Sequence, residues 1–251
     1  LYSYSFRPPA DWSSVYPSGA EIRRYLERTV ADEGFGERVR LGCELLDASW
    51  NPDTARWALS TSNGDITCRA LVLAVGRLSE ARIPDIEGLD SFTGEVVHTA
   101  AWRDDLPLDG ARIGLVGTGA SAVQIAPHLA EQADELVVFC RTPPYVVPRD
   151  DRRYTARERD AYLDPVVAQD IRDQLLRDAD VAFRQRQGLR PDIDEIRARA
   201  RAHLHAQVDD PELRSLLSPE YEIGCKRILL SDDFYPTLVR GNVVFEPSAL
   251  D

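Results

Sequence analysis

The sequence predicts an α/β fold centred on a β-α-β unit, and three consecutive features lead to this prediction. A short apolar run over residues 112–116 fits a buried parallel strand. A glycine-rich turn occupies residues 117–122 and leads into a helical pattern that ends at about Gln132. A second apolar run follows over residues 135–140. A strand, a tight turn, a helix and a further strand in this order form the repeating unit of parallel sheets.

A helix is also predicted near the start of the chain. Residues 1–18 are rich in Tyr, Ser and Pro without periodicity, which indicates an irregular lead-in. Ser18 then offers a capping hydroxyl, and Glu21 stands three residues later, the spacing of a capping box. Apolar side chains follow at helical spacing, at Ile22, Tyr25, Leu26 and Val30.

Three strand-like runs are predicted after this helix, over residues 39–50, 57–62 and 66–75. The turn Ser62-Asn-Gly-Asp65 joins the second run to the third, and Asn-Gly is a strong hairpin signal. Residues 76–110 carry Pro and Gly at intervals and are predicted to form a connector.

The part of the chain beyond the β-α-β unit is predicted to be mainly helical. Residues 148–219 are charged and rich in Arg, Asp, Glu, Ala and Leu, which favours several short helices. Residues 221–246 return to strand-like patterning. The predicted breaks between the helices are at Pro165, Gly188, Pro191 and Pro211.

Composition narrows the class of protein. The chain has 251 residues, is 43% apolar and carries a net charge of -12, which fits a globular protein and argues against general binding of nucleic acid. No stretch approaches the roughly 18 apolar residues of a membrane span, and the first residues are not expected to form a signal peptide. Four scattered cysteines exclude a disulfide scaffold and a zinc module and indicate reduced thiols in the cytoplasm. Because the chain begins at Leu1 and has no methionine, we expect it to be an internal piece of a longer protein.

Gly117, Gly119 and Ala122 form a GxGxxA fingerprint inside the predicted β-α-β unit. The first glycine permits a tight turn, the second lets the backbone approach a pyrophosphate, and the small third residue allows close packing of helix on strand. The N–H groups at the start of the helix would bind the anion. We favour a Rossmann-like dinucleotide site over the alternative of a glycine-rich turn with no ligand.

The end of the second strand indicates which dinucleotide would bind. An NAD site normally carries Asp or Glu here, but this chain has Arg141 and Thr142, and a guanidinium suits the 2′-phosphate of NADP. Lys226 is the only lysine among 30 basic residues and is a candidate for a second phosphate contact. The alternatives are that Arg141 is an ordinary surface arginine and Lys226 a solvated lysine.

No metal site is predicted from the histidines. His98 stands alone, without a nucleophile or carboxylate partner near it in sequence. His203 and His205 are two residues apart in a helical stretch, so their side chains face different directions and make poor joint ligands.

The pattern Phe92-x-Gly94-x-x-x-His98-x-x-x-Trp102, followed closely by the glycine fingerprint, resembles the class B flavoprotein monooxygenases. Trp at the last position resembles the Baeyer–Villiger branch. The resemblance covers essentially the whole chain except residues 150–215. Further segments that resemble the family are residues 2–6, 71–79, 83–90, 138–143 and 224–230.

This resemblance implies a Rossmann-like NADP-binding domain with a helical insertion, plus part of a second, FAD-binding α/β domain. The expected division is residues 1–102 for the partial FAD-binding domain and linker, 103–149 for the NADP-binding unit, 150–220 for the helical insertion and 221–251 for the return to the NADP-binding domain.

The resemblance also assigns roles to individual residues. Arg227 matches the active-site arginine of the family, which stabilises a negatively charged peroxyflavin, and His98 falls in the linker between the nucleotide domains. Positions expected to cradle the NADPH pyrophosphate are Gly117, Thr118, Gly119, Ser121 and Ala122. Positions expected around its 2′-phosphate are Arg141, Thr142 and Lys226. Positions expected to line FAD are Tyr2, Leu45, Ala74 and Gly76.

The implied activity is that of an FAD- and NADPH-dependent monooxygenase, which inserts one oxygen atom of O₂ into a small-molecule ketone through a C4a-peroxyflavin. An N- or S-oxygenating relative acting on a heteroatom, and an inactive NADP-binding remnant, are the alternatives. The fingerprint for FAD would lie before Leu1, so we expect the 251-residue chain alone to bind FAD poorly and to be inactive.

Overall fold

The computed structural model describes residues 2–7, 11–76, 78, 80–187 and 192–248. Some of the sequence predictions therefore lie outside the described residues. These are the helix breaks at Gly188 and Pro191, part of the expected family segment 71–79, and the end of segment 221–251. In chain order the described elements are α1 (Gly19–Asp32), β1 (Leu45–Asn51), β2 (Arg56–Thr61), β3 (Gly64–Cys68), β4 (Arg112–Val116), α2 (Ala120–Gln132), β5 (Glu135–Phe139), β6 (Val146–Val147), α3 (Ala156–Ala161), α4 (Pro165–Arg186), α5 (Asp192–Gln207), α6 (Pro211–Leu216), β7 (Leu229–Leu230), α7 (Phe234–Leu238) and β8 (Val243–Glu246).

A parallel sheet in the order β4-β5-β8 confirms the predicted β-α-β unit. Residues Arg112 to Val116 pair in register with Glu135 to Phe139, and α2 connects the two strands. The central strand β5 is the most deeply buried of the three, because both of its neighbours and α2 cover it. The predicted fold class, an α/β protein with a Rossmann-like unit, is therefore correct.

The main hydrophobic core lies between α2, this sheet and α7. Val123 and Ala126 from α2 meet Leu136 and Val138 from β5, and all four side chains are almost fully removed from solvent. Phe234 from α7 completes the cluster with no exposed surface. The apolar face of α2 thus fixes the helix against the sheet, and with it the position of the glycine turn at its start.

A second, antiparallel sheet in the order β1-β2-β3 confirms the predicted hairpin. Thr61 pairs with Gly64, so Ser62 and Asn63 form the loop, and Gly64 takes the positive φ of 106° that its lack of a side chain permits.

Two of the predicted strand runs are longer than the strands that form. Residues 39–44 are not a strand, because a turn with Gly42 at a φ of 62° precedes β1. The third strand ends at Cys68 rather than at 75, because its partner β2 begins at Arg56 and the last pair is Trp57 with Cys68. The apolar segment after Cys68 forms no strand pair among the described residues and is largely exposed.

The strand-like prediction over residues 221–246 is wrong in its middle, where α7 forms. Ser231 accepts hydrogen bonds at its Oγ from the N–H groups of Asp233 and Phe234, at 3.3 and 3.0 Å. These local bonds start a short helix between the strands β7 and β8, against the apolar pattern of the segment.

The described residues between 156 and 216 form four helices, as the charged composition predicts. Only α3 and α6 are short as predicted, with 6 residues each, whereas α4 has 22 residues and α5 has 16. Pro165 begins α4 and Pro211 begins α6, so both act as helix starts at the breaks predicted from sequence. Among the described residues, no helix combines the length and apolar character required to cross a membrane.

The predicted capping box at the start of α1 is present. The backbone N–H and the Oγ of Ser18 donate to Glu21 Oε2 at 3.0 Å, and Glu21 N–H donates back to Ser18 Oγ at 3.3 Å. Ser13 adds two further bonds to the same carboxylate at 2.9 Å, from its N–H and its hydroxyl. These bonds lower the pKa of Glu21 to about 2, and the bond from the Ser18 N–H has the largest effect.

We expect Glu21→Gln to lower the melting temperature at pH 7 by about 2–4 °C, the usual effect of losing a cap. A carboxyl whose pKa is depressed in the folded state stabilises the fold above its unfolded pKa of about 4.5 and loses this effect as the pH falls towards 2. The difference between wild type and variant should therefore shrink below pH 4.5 in thermal melts followed by circular dichroism. Glu27→Gln, on the same helix in an exposed pair with Arg23, is the control and should change the melting temperature less at every pH.

Candidate nucleotide-binding site

The glycine turn lies where β4 ends and α2 begins. Gly117 has a φ of 96°, a conformation that side-chain-bearing residues rarely adopt, and its N–H donates to Phe139 O at 2.9 Å. Gly119 is the residue that caps α2. A Cβ placed on either glycine would meet nothing within 4 Å. The turn is therefore open on its outer side, with room for a ligand to approach the backbone.

The start of α2 offers unused hydrogen-bond donors. Val123 N–H bonds to Gly119 O at 3.0 Å, and the N–H groups of the first turn before it have no carbonyl partner within the helix. The first turn contains no acidic side chain, so nothing there opposes an anion. Ser121 is exposed at this end, whereas Ala122 is buried against the sheet, as its small side chain allows.

Thr118 ties the glycine turn to the segment that follows β5. Its hydroxyl donates to Thr142 O at 3.3 Å and lies 3.3 Å from Cys140 Sγ. A hydroxyl has one proton, so with that proton given to Thr142 the thiol of Cys140 is the donor to Thr118. Burial raises the pKa of the Cys140 thiol, which favours this protonated form. The glycine turn, predicted to bind the pyrophosphate, is thus joined directly to the segment of Arg141 and Thr142, predicted to bind the 2′-phosphate.

Lys226 reaches the same end of the sheet from a distant part of the sequence. A turn closed by Cys225 N–H to Glu222 O at 3.1 Å, with Gly224 at a φ of 97°, precedes it. Its Nζ lies 4.9 Å from the centre of the Tyr221 ring. Leu229, three residues after Lys226, donates its N–H to Tyr145 O at 2.9 Å, so the segment that carries Lys226 pairs with the one that follows Arg141. Burial raises the pKa of the Cys140 thiol, and the positive charge of Lys226 is among the smaller effects that lower it.

The structure therefore brings most of the predicted NADP positions into one region. Thr118 of the glycine turn contacts Thr142 and Cys140, and Arg141 lies between these two residues in the chain. Lys226 lies three residues before Leu229, whose N–H bonds to Tyr145 O. Arg141 and Lys226 are both exposed, so both basic groups can reach a ligand. Arg227 is also exposed, and no hydrogen bond or ion pair holds its guanidinium within the described part of the chain.

The four positions predicted to line FAD are not brought together in the same way. Leu45 opens β1, Ala74 and Gly76 lie in the exposed segment after β3, and Tyr2 lies in the lead-in. Among the described residues, no hydrogen bond, ring contact or cavity wall joins Tyr2 to the other three. These positions by themselves do not enclose a flavin.

The sequence did not predict a polar cleft of about 610 Å³, which lies between the lead-in, α2 and residues 149–153. Tyr2, Tyr16, Gln124 and Arg149 are among its lining residues, and the Arg149 guanidinium lies 4.9 Å from the centre of the Tyr16 ring. The backbone of residues 13–15 is hydrogen-bonded to that of residues 152–154 along its edge. The arginines at 149, 152 and 153 are the only sequence signal for this cleft. They do not indicate that residues of the lead-in form its other wall.

Comparison with known proteins decides the family. The sequence profile of the pyridine nucleotide-disulphide oxidoreductase family matches residues 3–179. The chain belongs to this family. A Baeyer-Villiger monooxygenase of Streptomyces coelicolor is 38% identical over the full length of the chain, which covers 48% of that protein. A Baeyer-Villiger monooxygenase of Pseudomonas aeruginosa is 34% identical over 96% of the chain, covering 46% of that protein.

Solved structures agree with this relationship. A steroid monooxygenase bound to NADP superposes with a TM-score of 0.82 at 30% identity, over 98% of this chain and 55% of that one. Cyclohexanone monooxygenase from Rhodococcus sp. Phi1 bound to NADP+ superposes with a TM-score of 0.80 at 28% identity, over 99% of this chain and 56% of that one. The resemblance to Baeyer–Villiger monooxygenases found in the sequence is thus confirmed. This member of the oxidoreductase family spans about half the length of the curated relatives it matches.

Proposed function

We propose that the protein containing this chain is an FAD- and NADPH-dependent monooxygenase that inserts one oxygen atom of O₂ into a small-molecule ketone. The observation that carries the proposal is the open glycine turn at the start of α2, with exposed Arg141 and Lys226 on two segments that are joined by the bond from Leu229 N–H to Tyr145 O. The names of the relatives, two of them Baeyer-Villiger monooxygenases, support the reaction class.

The residues present fit NADPH. Gly117, Gly119 and Ser121, with Thr118 and Ala122 in the same turn, would hold the pyrophosphate through the open backbone and the N–H groups of α2. Arg141, Thr142 and Lys226 would surround the 2′-phosphate, where two positive charges favour NADPH over NADH. NADPH, when bound, supplies a hydride.

Arg227 is proposed as the catalytic residue of this chain. Its guanidinium is exposed immediately after Lys226, so the same segment that binds the nucleotide presents a second positive charge. A guanidinium held near the reacting groups stabilises negative charge that develops there. FAD binding at Tyr2, Leu45, Ala74 and Gly76 is proposed on the resemblance alone, because these four positions are exposed in the structure.

The domain division is also a proposal, and the sheet topology supports it. The strand β8 pairs with β5 although 103 residues separate Phe139 from Val243, and α3 to α6 lie between them in sequence. This order suits a nucleotide-binding unit at 103–149, a helical insertion at 150–220 and a return at 221–251, with 1–102 forming part of the FAD-binding domain and the linker.

Two measurements test the proposed function. Calorimetric titration of the 251-residue chain should show binding of NADP+ in preference to NAD+. The protein that contains the chain, purified with FAD, should form lactone from cyclohexanone with matching consumption of NADPH and O₂. Failure of the chain to bind NADP+ would refute the nucleotide site. Oxygenation of amines or sulfides without any ketone product would refute the Baeyer–Villiger reaction and support the heteroatom-oxygenating alternative.

A further inference from the structure

Tyr221 is the residue on which the Lys226 side chain rests. The Lys226 Nζ lies 4.9 Å from the centre of the Tyr221 ring, within the range of a cation–π interaction. Lys226 is exposed and Tyr221 is half-buried, so the ring is a fixed surface beneath an otherwise flexible side chain. An aromatic ring in this position restricts where the ammonium can go.

The Tyr221 ring is itself fixed by Tyr145. The two rings are 5.3 Å apart at an interplanar angle of 80°, a T-shaped contact. Tyr145 N–H donates to the Tyr221 hydroxyl at 3.3 Å, and the Tyr145 hydroxyl donates to Tyr221 O at 3.1 Å. Three contacts between two residues leave the ring of Tyr221 little freedom.

Tyr145 lies on the same segment as Arg141, the other basic residue of the proposed site. It stands four residues after Arg141 and accepts a hydrogen bond at its carbonyl from Leu229 N–H at 2.9 Å, where β6 meets β7. The segment that carries Arg141 and the segment that carries Lys226 are therefore held together by the two tyrosines. Among the contacts of the described residues, only the Tyr221 ring links the Lys226 ammonium to Tyr145.

We propose that Tyr221 is a specificity-determining positioning residue, whose ring limits the positions open to the Lys226 ammonium and so favours a dinucleotide that carries a 2′-phosphate. The inference rests on the proposed NADP site. Tyr221 does not contact the nucleotide in this proposal; it acts through Lys226.

The test is calorimetric titration of the 251-residue chain with NADP+ and with NAD+, for wild type, Tyr221→Leu and Tyr221→Phe. Loss of an exposed cation–π contact corresponds to about a two- to fivefold effect, so Tyr221→Leu should weaken NADP+ binding by that factor and leave NAD+ binding unchanged. Tyr221→Phe keeps the ring and removes only the hydroxyl that accepts from Tyr145, so its ratio of the two affinities should match wild type within about twofold.

A double-mutant cycle with Lys226→Met separates action through Lys226 from a general loss of structure. In the Lys226→Met background, Tyr221→Leu should no longer change the ratio of NADP+ to NAD+ affinity. This ratio does not depend on the fraction of folded chain. If Tyr221→Leu leaves the ratio of NADP+ to NAD+ affinity unchanged, or weakens the binding of both nucleotides equally, the inference is overturned while the proposed function stands. A wild-type chain that binds neither nucleotide would overturn the proposed function and the inference with it.

Discussion

The double variant Arg141→Ala/Lys226→Ala is expected to weaken NADP+ binding by at least about 100-fold while NAD+ binding changes little, since each charge-assisted contact to a phosphate contributes about 1.5–3 kcal/mol. The two basic residues are exposed, lie 85 residues apart in the sequence and are both proposed to bind the 2′-phosphate, the group that distinguishes NADP+ from NAD+. Titration of both nucleotides against the 251-residue chain measures the effect directly.

A charge-matched control is available in the same chain. Arg38→Ala/Arg40→Ala removes two exposed arginines from the segment before β1, and so makes the net charge more negative by the same two units. If general attraction between the chain and an anionic nucleotide were responsible, both double variants would lose affinity alike. We expect the control to bind NADP+ as wild type does. A selectivity for NADP+ that survives in Arg141→Ala/Lys226→Ala would show that the 2′-phosphate is recognised elsewhere.

Local patterns in the sequence were sufficient to predict the β-α-β unit. The GxGxxA turn, its preceding strand and its following helix lie within 30 residues, and each has its own signal: an apolar run, glycines and helical spacing. The same holds for Ser18 and Glu21, where the cap requires only a three-residue spacing. The predicted positions at 117–122 consequently form one turn in the structure.

Elements that depend on distant partners were predicted less well. The apolar segment after Cys68 has the composition of a strand, but the pairing of β3 with β2 ends at Cys68. Strand length therefore depends on the partner strand as much as on composition. The helix α7 arises inside a strand-like pattern because the Ser231 hydroxyl accepts two local N–H groups. Tyr221 has no sequence signal of its own, since its importance comes from contacts with Tyr145, 76 residues earlier.

Phe234→Ala is expected to destabilise the chain by about 3–5 kcal/mol, the usual cost of removing a buried aromatic ring and leaving a cavity. Phe234 has no exposed surface and belongs to the core cluster formed with α2 and β5. Its ring lies 5.8 Å from that of Tyr235, centre to centre, so the loss includes a contact between aromatic rings as well as buried area. Urea unfolding followed by circular dichroism and tryptophan fluorescence gives the change in the free energy of unfolding.

Phe183→Ala provides the matched control, because Phe183 lies on α4 with 54% of its surface exposed. The same chemical change there should alter the free energy of unfolding by no more than about 0.5 kcal/mol, as exposed substitutions usually do. Equal destabilisation by the two variants would contradict the assignment of the core to α2, the parallel sheet and α7. Because α2 carries the glycine turn at its first residues, Phe234→Ala should also weaken NADP+ binding near its unfolding midpoint, whereas Phe183→Ala should not. Stability of this core and occupancy of the nucleotide site are thus expected to be coupled through one helix.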